Sequence, residues 1–246
     1  MPRYLIKLSF KGTAYHGWQI QPGAHTVQAE LNTKLSMLLG EDINVAGCGR
    51  TDAGVHARVF YAHFDISGIT EKRMKSMDAV YRLNSFLPSD IAIFSIEKVN
   101  ENFNARFDAK SRTYSYYIAR RKNPFLQETS YLYTGKLNIE AMQKGAAILS
   151  RYDDFTSFSK SHTQTKTNIC KIFSARWQQN GDLLVFTISA DRFLRNMVRA
   201  IVGTLLEIGK GKIEAGDMHG IIEAKDRKKA GFSVPAHALF LENVEY

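Results

Sequence analysis

The chain has 246 residues, 44% of them hydrophobic, enough for one large or two small α/β units with a real core, and nothing in the composition suggests disorder. A formal net charge of +9, from 33 Lys and Arg against 24 Asp and Glu, favours a polyanionic partner such as nucleic acid. No stretch approaches the roughly eighteen apolar residues of a membrane span, MPRYLIKLSFKG lacks the apolar run of a signal peptide, and Cys48 and Cys170 form no CxxC or Cys/His cluster; a cytoplasmic protein without membrane, disulfide frame or metal site is expected.

Taken in chain order, YLIKLSF alternates like a half-buried strand, and KGTAYHGWQIQPGAH supplies turn residues and exposed aromatics. Thr26 is placed to cap a helix in which Val27, Leu31, Leu35 and Leu38 recur at helical spacing up to Gly40. INVAGC and VFYAHFDI read as strands on either side of GRTDAGVHA, a second helical stretch covers 71–86, and IAIFSIEKV is a strand. The order β-α-β-β-α-β favours an antiparallel sheet with its helices on one face.

The second half repeats the order loosely, without residue-level similarity. Strand YSYYIA, helix IEAMQKGAAIL, strands KIFSARW and LLVFTISA, a long helix over 192–208, a shorter one over 219–225 and a last strand ALFLENVEY follow in turn. NENFNARFDAKSR is the expected boundary. It gives an N-terminal α+β half over 1–103 and a C-terminal α+β half over 104–246, short enough in the join to share one sheet system.

Three segments carry chemistry. In GRTDAGVHA (49–57), glycines allow tight turns that set Asp52 at a loop tip, and Arg50 can help keep that carboxylate ionised provided the loop brings the two together; taken alone, the segment reads as a turn, with Asp52 a turn residue and Arg50 a solvated charge. ARFDAKSRTYSYYIARR interleaves rings with guanidinium groups, the mixture that stacks on bases and binds phosphates, and alternation puts Tyr114 and Tyr116 on one face. In DRFLRNMVRAIVGTLLEIGKG an apolar face runs from Phe193 to Leu205, with Arg192, Arg195 and Arg199 as a basic stripe beside it.

Together these segments resemble the TruA family of tRNA pseudouridine synthases. GRTDAGVHA is similar to that family's signature loop, and AYHGWQIQ, TVQAELN, ARFDAKSRTYSYYI, DDFTSF, the arginine-bearing segment and LFLENVEY match its other blocks in order, over nearly the whole chain. Where the family usually has Gly-Leu before the last strand, this chain has Ala238-Leu239. The resemblance implies that Asp52 is the nucleophile, that Arg50 helps open the stem and occupies the space of the flipped base, that Tyr114 packs against the target uracil and that Arg199 pairs with the catalytic aspartate. It also implies an α+β fold of two ferredoxin-like halves around a catalytic cleft, with a mixed, mainly antiparallel central sheet. The implied activity is cofactor-independent conversion of uridine to pseudouridine at positions 38 to 40, in the anticodon arm of tRNA, by a homodimer.

Such an isomerisation needs one ionised carboxylate, whether it attacks the sugar, attacks the ring or abstracts a proton, and neither redox chemistry nor an outside group. Three other readings compete: an RNA-binding protein without catalysis, a two-carboxylate glycosidase using Asp52 with Asp65 or Asp191, and a metal-assisted hydrolase using His56, His63 and Asp65. For the grip on RNA, RRK at 120–122, SKSHTQTK, the arginine stripe and KDRKK at 225–229 supply the basic groups.

Overall fold

The computed structural model describes residues 1–160 and 167–246. Most of SKSHTQTK, with His162, lies outside the described residues. The fold is α+β with mixed, mostly antiparallel strand pairing, divided into two compact units: Met1–Lys110 with Leu241–Tyr246, and Ser111–Phe240. The first unit therefore runs past 103 to Lys110 and takes in most of the closing strand.

In the first unit, β1 (Arg3–Phe10) alternates half-buried and buried positions along its whole length, with Ile6 and Leu8 fully inside. It pairs antiparallel with β3 (His56–Asp65) on one side and β4 (Ile91–Val99) on the other. The inward row of β1 meets Phe60, Ala62 and Phe64 of β3, so two period-two patterns build one apolar face. Helix α1 (Val27–Leu39) lays Val27, Leu31, Leu35, Leu38 and Leu39 into this core. Its ends are those expected: Thr26 accepts from the Ala29 N–H at 3.3 Å, and Gly40 closes the helix at φ 68°.

Two expectations fail here for local reasons. INVAGC is not a full strand, and only β2 (Ala46–Gly47) pairs with β3. Side chains of α1 take the backbone groups a ladder would need: Ser36 accepts from the Ile43 N–H, Asn32 from the Val45 N–H, and Gln28 donates to the Val45 carbonyl. The stretch 71–86 is two helices, α2 (Gly68–Lys75) and α3 (Ala79–Phe86), because Asp78 makes a second N-cap by accepting from the Tyr81 N–H at 2.9 Å.

The second unit centres on β5 (Ser111–Ala119), antiparallel to β8 (Leu183–Ala190), which pairs with β7 (Ile172–Asn180). A short parallel strand, β6 (Tyr131–Leu132), lies on β5 and was not apparent from the sequence. Helices α4 (Ile139–Ile148), α5 (Met197–Gly209) and α6 (Asp217–Glu223) follow, and β9 (Leu239–Glu245) closes the chain. Gly145 of α4 lets Leu205 and Ile208 of α5 approach closely. The helix expected to start at 192 starts at Met197 instead, since Asn196 sits at φ 67°, outside the right-handed region. Both cysteines are buried, and burial pushes the Cys170 thiol up to about 12. Among the described residues no helix is long and apolar enough to cross a membrane.

On the first unit's surface, Lys98, Tyr4 and Lys75, in that order of effect, hold the Glu71 carboxyl down at about 2 against an ordinary 4.5. A depressed folded pKa contributes stability that is present above the unfolded value and lost as pH falls through the folded one. The stability advantage of the native chain over Glu71→Gln should therefore shrink as pH drops from about 4.5 toward about 2. Urea unfolding midpoints measured across that window check this; a gap that stays constant would contradict it.

Candidate active site

Cys48 enters the loop 49–55 through its N–H bond to the Tyr61 carbonyl at 2.7 Å, and β3 begins directly after it. At the tip, the Asp52 carbonyl accepts from the Val55 N–H at 3.2 Å across a turn in which Gly54 holds φ 80°. Asp52 is half-buried there and Arg50 is exposed.

What fixes the loop is the segment 12–18. The Trp18 N–H donates to the Thr51 carbonyl at 3.4 Å, the Gly54 N–H to the Tyr15 carbonyl at 3.3 Å, and the Gly12 N–H to buried His56 Nδ1 at 2.9 Å. A Cβ on Gly12 would overlap the Val55 carbonyl, and one on Gly17, itself at φ 87°, would overlap the Thr51 carbonyl and reach the Asp52 carbonyl carbon at 3.2 Å. Backbone lies directly on backbone, and only glycine permits that. The aromatics of this segment, expected to be exposed, are its anchors: Tyr15 and Trp18 are 3% and 2% exposed. Trp18 stacks on Phe60 at 4.1 Å and covers Gly47, while the Tyr15 hydroxyl donates to Asp90 Oδ1 at 2.6 Å. Burial first, then that bond, raises the Tyr15 pKa and keeps it a neutral donor. Thr51 Oγ1, beside Asp52, is buried with no hydrogen-bond partner among the described residues.

The second unit places Tyr114 half-buried on β5, its ring edge-on to Phe193 at 5.2 Å and 88°. Tyr116 shares that face but is core: it is fully buried and donates to the Pro235 carbonyl at 3.0 Å. The basic stripe needs correction. Arg192 and Arg195 precede α5, in a loop held by Asp191 Oδ1, which accepts from the Lys171 and Arg192 N–H groups; Arg199 alone of the three is helical. Arg199 is half-buried, donates through Nε to the Val234 carbonyl at 2.7 Å, and accepts from the Val234 N–H at 3.3 Å. Ala238 is buried in a short 3-10 turn without a positive φ, so alanine adopts the position without strain.

The competing carboxylates are already committed. Arg3 grips Asp65 with two 2.8 Å bonds that hold its carboxyl below the usual range, and Asp191 braces its loop. His63 Nδ1 accepts from the Ala105 N–H at 3.1 Å, and burial lowers its pKa. Among the described residues no three His, Cys, Asp or Glu side chains gather as a metal site. The basic runs also shrink: Arg120 ties down the Tyr133 and Gly135 carbonyls, Arg121 pairs with Asp182, Lys225 pairs with Asp154, and Arg227 bonds its own neighbourhood. The supporting segments 12–18 and 227–235 were missed as parts of the site, although Gly12 and Gly17 flanking KGTAYHGW were the visible signal for the first.

A family described as tRNA pseudouridine synthase matches residues 8–108 and 152–246. The tRNA pseudouridine synthase A of Parabacteroides distasonis is 51% identical over 246 residues, covering 100% of this chain and 96% of the relative. That of Bacteroides fragilis is 51% identical over 245 residues, covering 99% and 96%. That of Clostridium acetobutylicum is 40% identical over 248 residues, covering 100% of both.

The loop clamp separates two glycines with similar backbones. Gly17→Ala should lower turnover by roughly tenfold to a hundredfold, because it pushes the Asp52 loop out of place. Gly23→Ala, at φ 70° with open space around it, should cost only the left-handed strain, about 1–2 kcal/mol, and leave turnover unchanged. Steady-state rates and thermal unfolding of both variants check this; equal rates would mean that the clamp does not set the loop.

Proposed function

The chain belongs to the tRNA pseudouridine synthase family, and from that premise we propose that it converts uridines at positions 38 to 40 of the tRNA anticodon arm, with Asp52 as nucleophile, by base flipping and without a cofactor. It is an isomerase that makes pseudouridine in tRNA. The observation that carries the assignment of Asp52 is its loop: a half-buried carboxylate on a glycine turn, held by backbone contacts that a mere surface turn does not need.

The reaction breaks the N1–C1′ bond, turns the uracil, and forms a C5–C1′ bond. C5 gives up its proton and N1 gains one, so atoms and charge balance without an outside group. Asp52 supplies the carboxylate that assists cleavage. Arg199, aimed by Val234, takes the role of the aspartate's partner in the reaction, and Tyr114, propped by Phe193, is the platform that holds the detached base and can relay a proton. Extruding the base costs a few kcal/mol, which exposed Arg50 offsets by filling the gap left in the stem. We assign each unit to a ferredoxin-like half, the first carrying Asp52 and Arg50 and the second carrying Tyr114 and Arg199. The enzyme works in the cytoplasm as a two-fold homodimer, the commonest symmetric assembly.

Asp52→Asn and Asp52→Ala should lower turnover by roughly a thousandfold or more while leaving tRNA affinity within about threefold, since a loop-tip carboxylate contributes chemistry rather than packing. Mapping pseudouridine in tRNA after incubation, alongside filter binding, reads both; full conversion by either variant sinks the assignment. Tyr114→Phe should keep the ring contact with Phe193 and most tRNA affinity, whereas Tyr114→Ala should lose about tenfold more turnover than Tyr114→Phe, the platform being worth roughly 1–3 kcal/mol per stacked base. Wild-type rates in both variants would remove Tyr114 from the base-binding role.

A further inference from the structure

Arg227 stands in a lysine-rich run that reads as a phosphate-binding patch, yet its guanidinium is turned inward. It donates to the Ala230 carbonyl at 3.3 Å, the Gly231 carbonyl at 3.0 Å and Ser233 Oγ at 2.9 Å. All three acceptors are neutral, and burial lowers its pKa with no carboxylate among the described residues to offset the cost. A charged group held this way is there for the geometry its fork imposes.

That geometry leads to Arg199. The segment gripped by Arg227 lies backbone against backbone on α5: a Cβ on Gly203 would overlap the Phe232 carbonyl, and one on Gly231 would come within 2.7 Å of the Thr204 N. The Gly231 N–H also donates to Thr204 Oγ1 at 2.8 Å. Three residues on, Val234 makes both of its bonds with Arg199, one to the carbonyl and one from Nε. Ser233 Oγ, which Arg227 holds, also accepts from Asn196 Nδ2 at 2.6 Å. Asn196 is the left-handed residue where the loop bearing Phe193 becomes α5.

We propose that Arg227 is a positioning residue, which through Ser233 and Val234 sets both the direction of the Arg199 guanidinium and the turn at Asn196, and hence the Phe193 prop under Tyr114. This rests on the role in the reaction given above to Arg199. Arg227 itself does not touch RNA; of its run, exposed Lys228 and Lys229 are the phosphate-facing members.

The test is a mutant cycle read by single-turnover rate at saturating tRNA and by tRNA affinity at several salt concentrations. Arg227→Gln should slow the rate roughly tenfold to a hundredfold, as misplacement of a catalytic group does, with affinity and its salt slope within error of wild type. Introduced into Arg199→Ala, it should slow the rate by less than about threefold more, because both changes remove one interaction. Ser233→Ala should show the same non-additivity with a smaller single effect, and it carries the cycle if Arg227→Gln does not fold. Effects that multiply independently of Arg199→Ala overturn the proposal, as does an Arg227→Gln variant that only weakens binding and flattens the salt slope. If Arg199→Ala alone turns over like wild type, the role given to Arg199 has failed, and the proposal with it.

Discussion

A carboxylate at the tip of a loop goes where the loop backbone carries it, so its position depends on what that backbone rests against. Here that support is the main chain of residues 12–18, admitted to contact distance by Gly12 and Gly17 and tied by the Trp18 and Gly54 amides. Three side-chain contacts back that support. Tyr15 and Trp18 are buried so that the segment cannot lift, Asp90 fixes Tyr15, and Phe60 gives Trp18 a surface to stack on. The apolar face of β1 and β3 is thus the floor on which the Asp52 loop is built.

The second unit uses the same device with different residues. Gly203 and Gly231 let the segment after α6 lie on α5, and Val234 then holds the Arg199 side chain by its Nε. In each unit the segment bearing a polar side chain assigned to the chemistry rests against a neighbouring main chain. Main-chain support is rigid, because peptide groups have few soft dihedrals. It suits the placement of groups that the proposed base-flipping reaction requires.

Much of the fold was legible from periodicity and caps. Thr26, the leucine spacing and Gly40 define α1 without ambiguity, and the alternation of β1 shows directly which residues face inward. Where the reading failed, a hydrogen bond from elsewhere overrode the local pattern. The apolar spacing of Phe193 and Leu194 continues the face of α5, but Asn196 leaves the helical region and bonds Ser233, so the helix starts late and the arginine stripe dissolves. INVAGC has strand composition, but α1 side chains take its amides. At the candidate site, GRTDAGVHA and Tyr114 stood out because their residue types are chemical. The supports around them were invisible because they act through peptide N–H and carbonyl groups, which every residue carries. Arg227 was hidden for the opposite reason: its charge suggested solvent, and only the three inward bonds show otherwise.

Isomerisation in place, within this frame, breaks a bond at N1 and remakes it at C5 of the same uracil. It is tested most directly by single turnover on tRNA carrying tritium at C5 of uridine, with the released tritium and the mass of the RNA followed together. Isomerisation in place predicts one C5 hydrogen released to water for each uridine converted and no loss of nucleobase from the RNA. Release of free uracil, with an RNA lighter by that base, would contradict it and make the protein a nucleobase hydrolase.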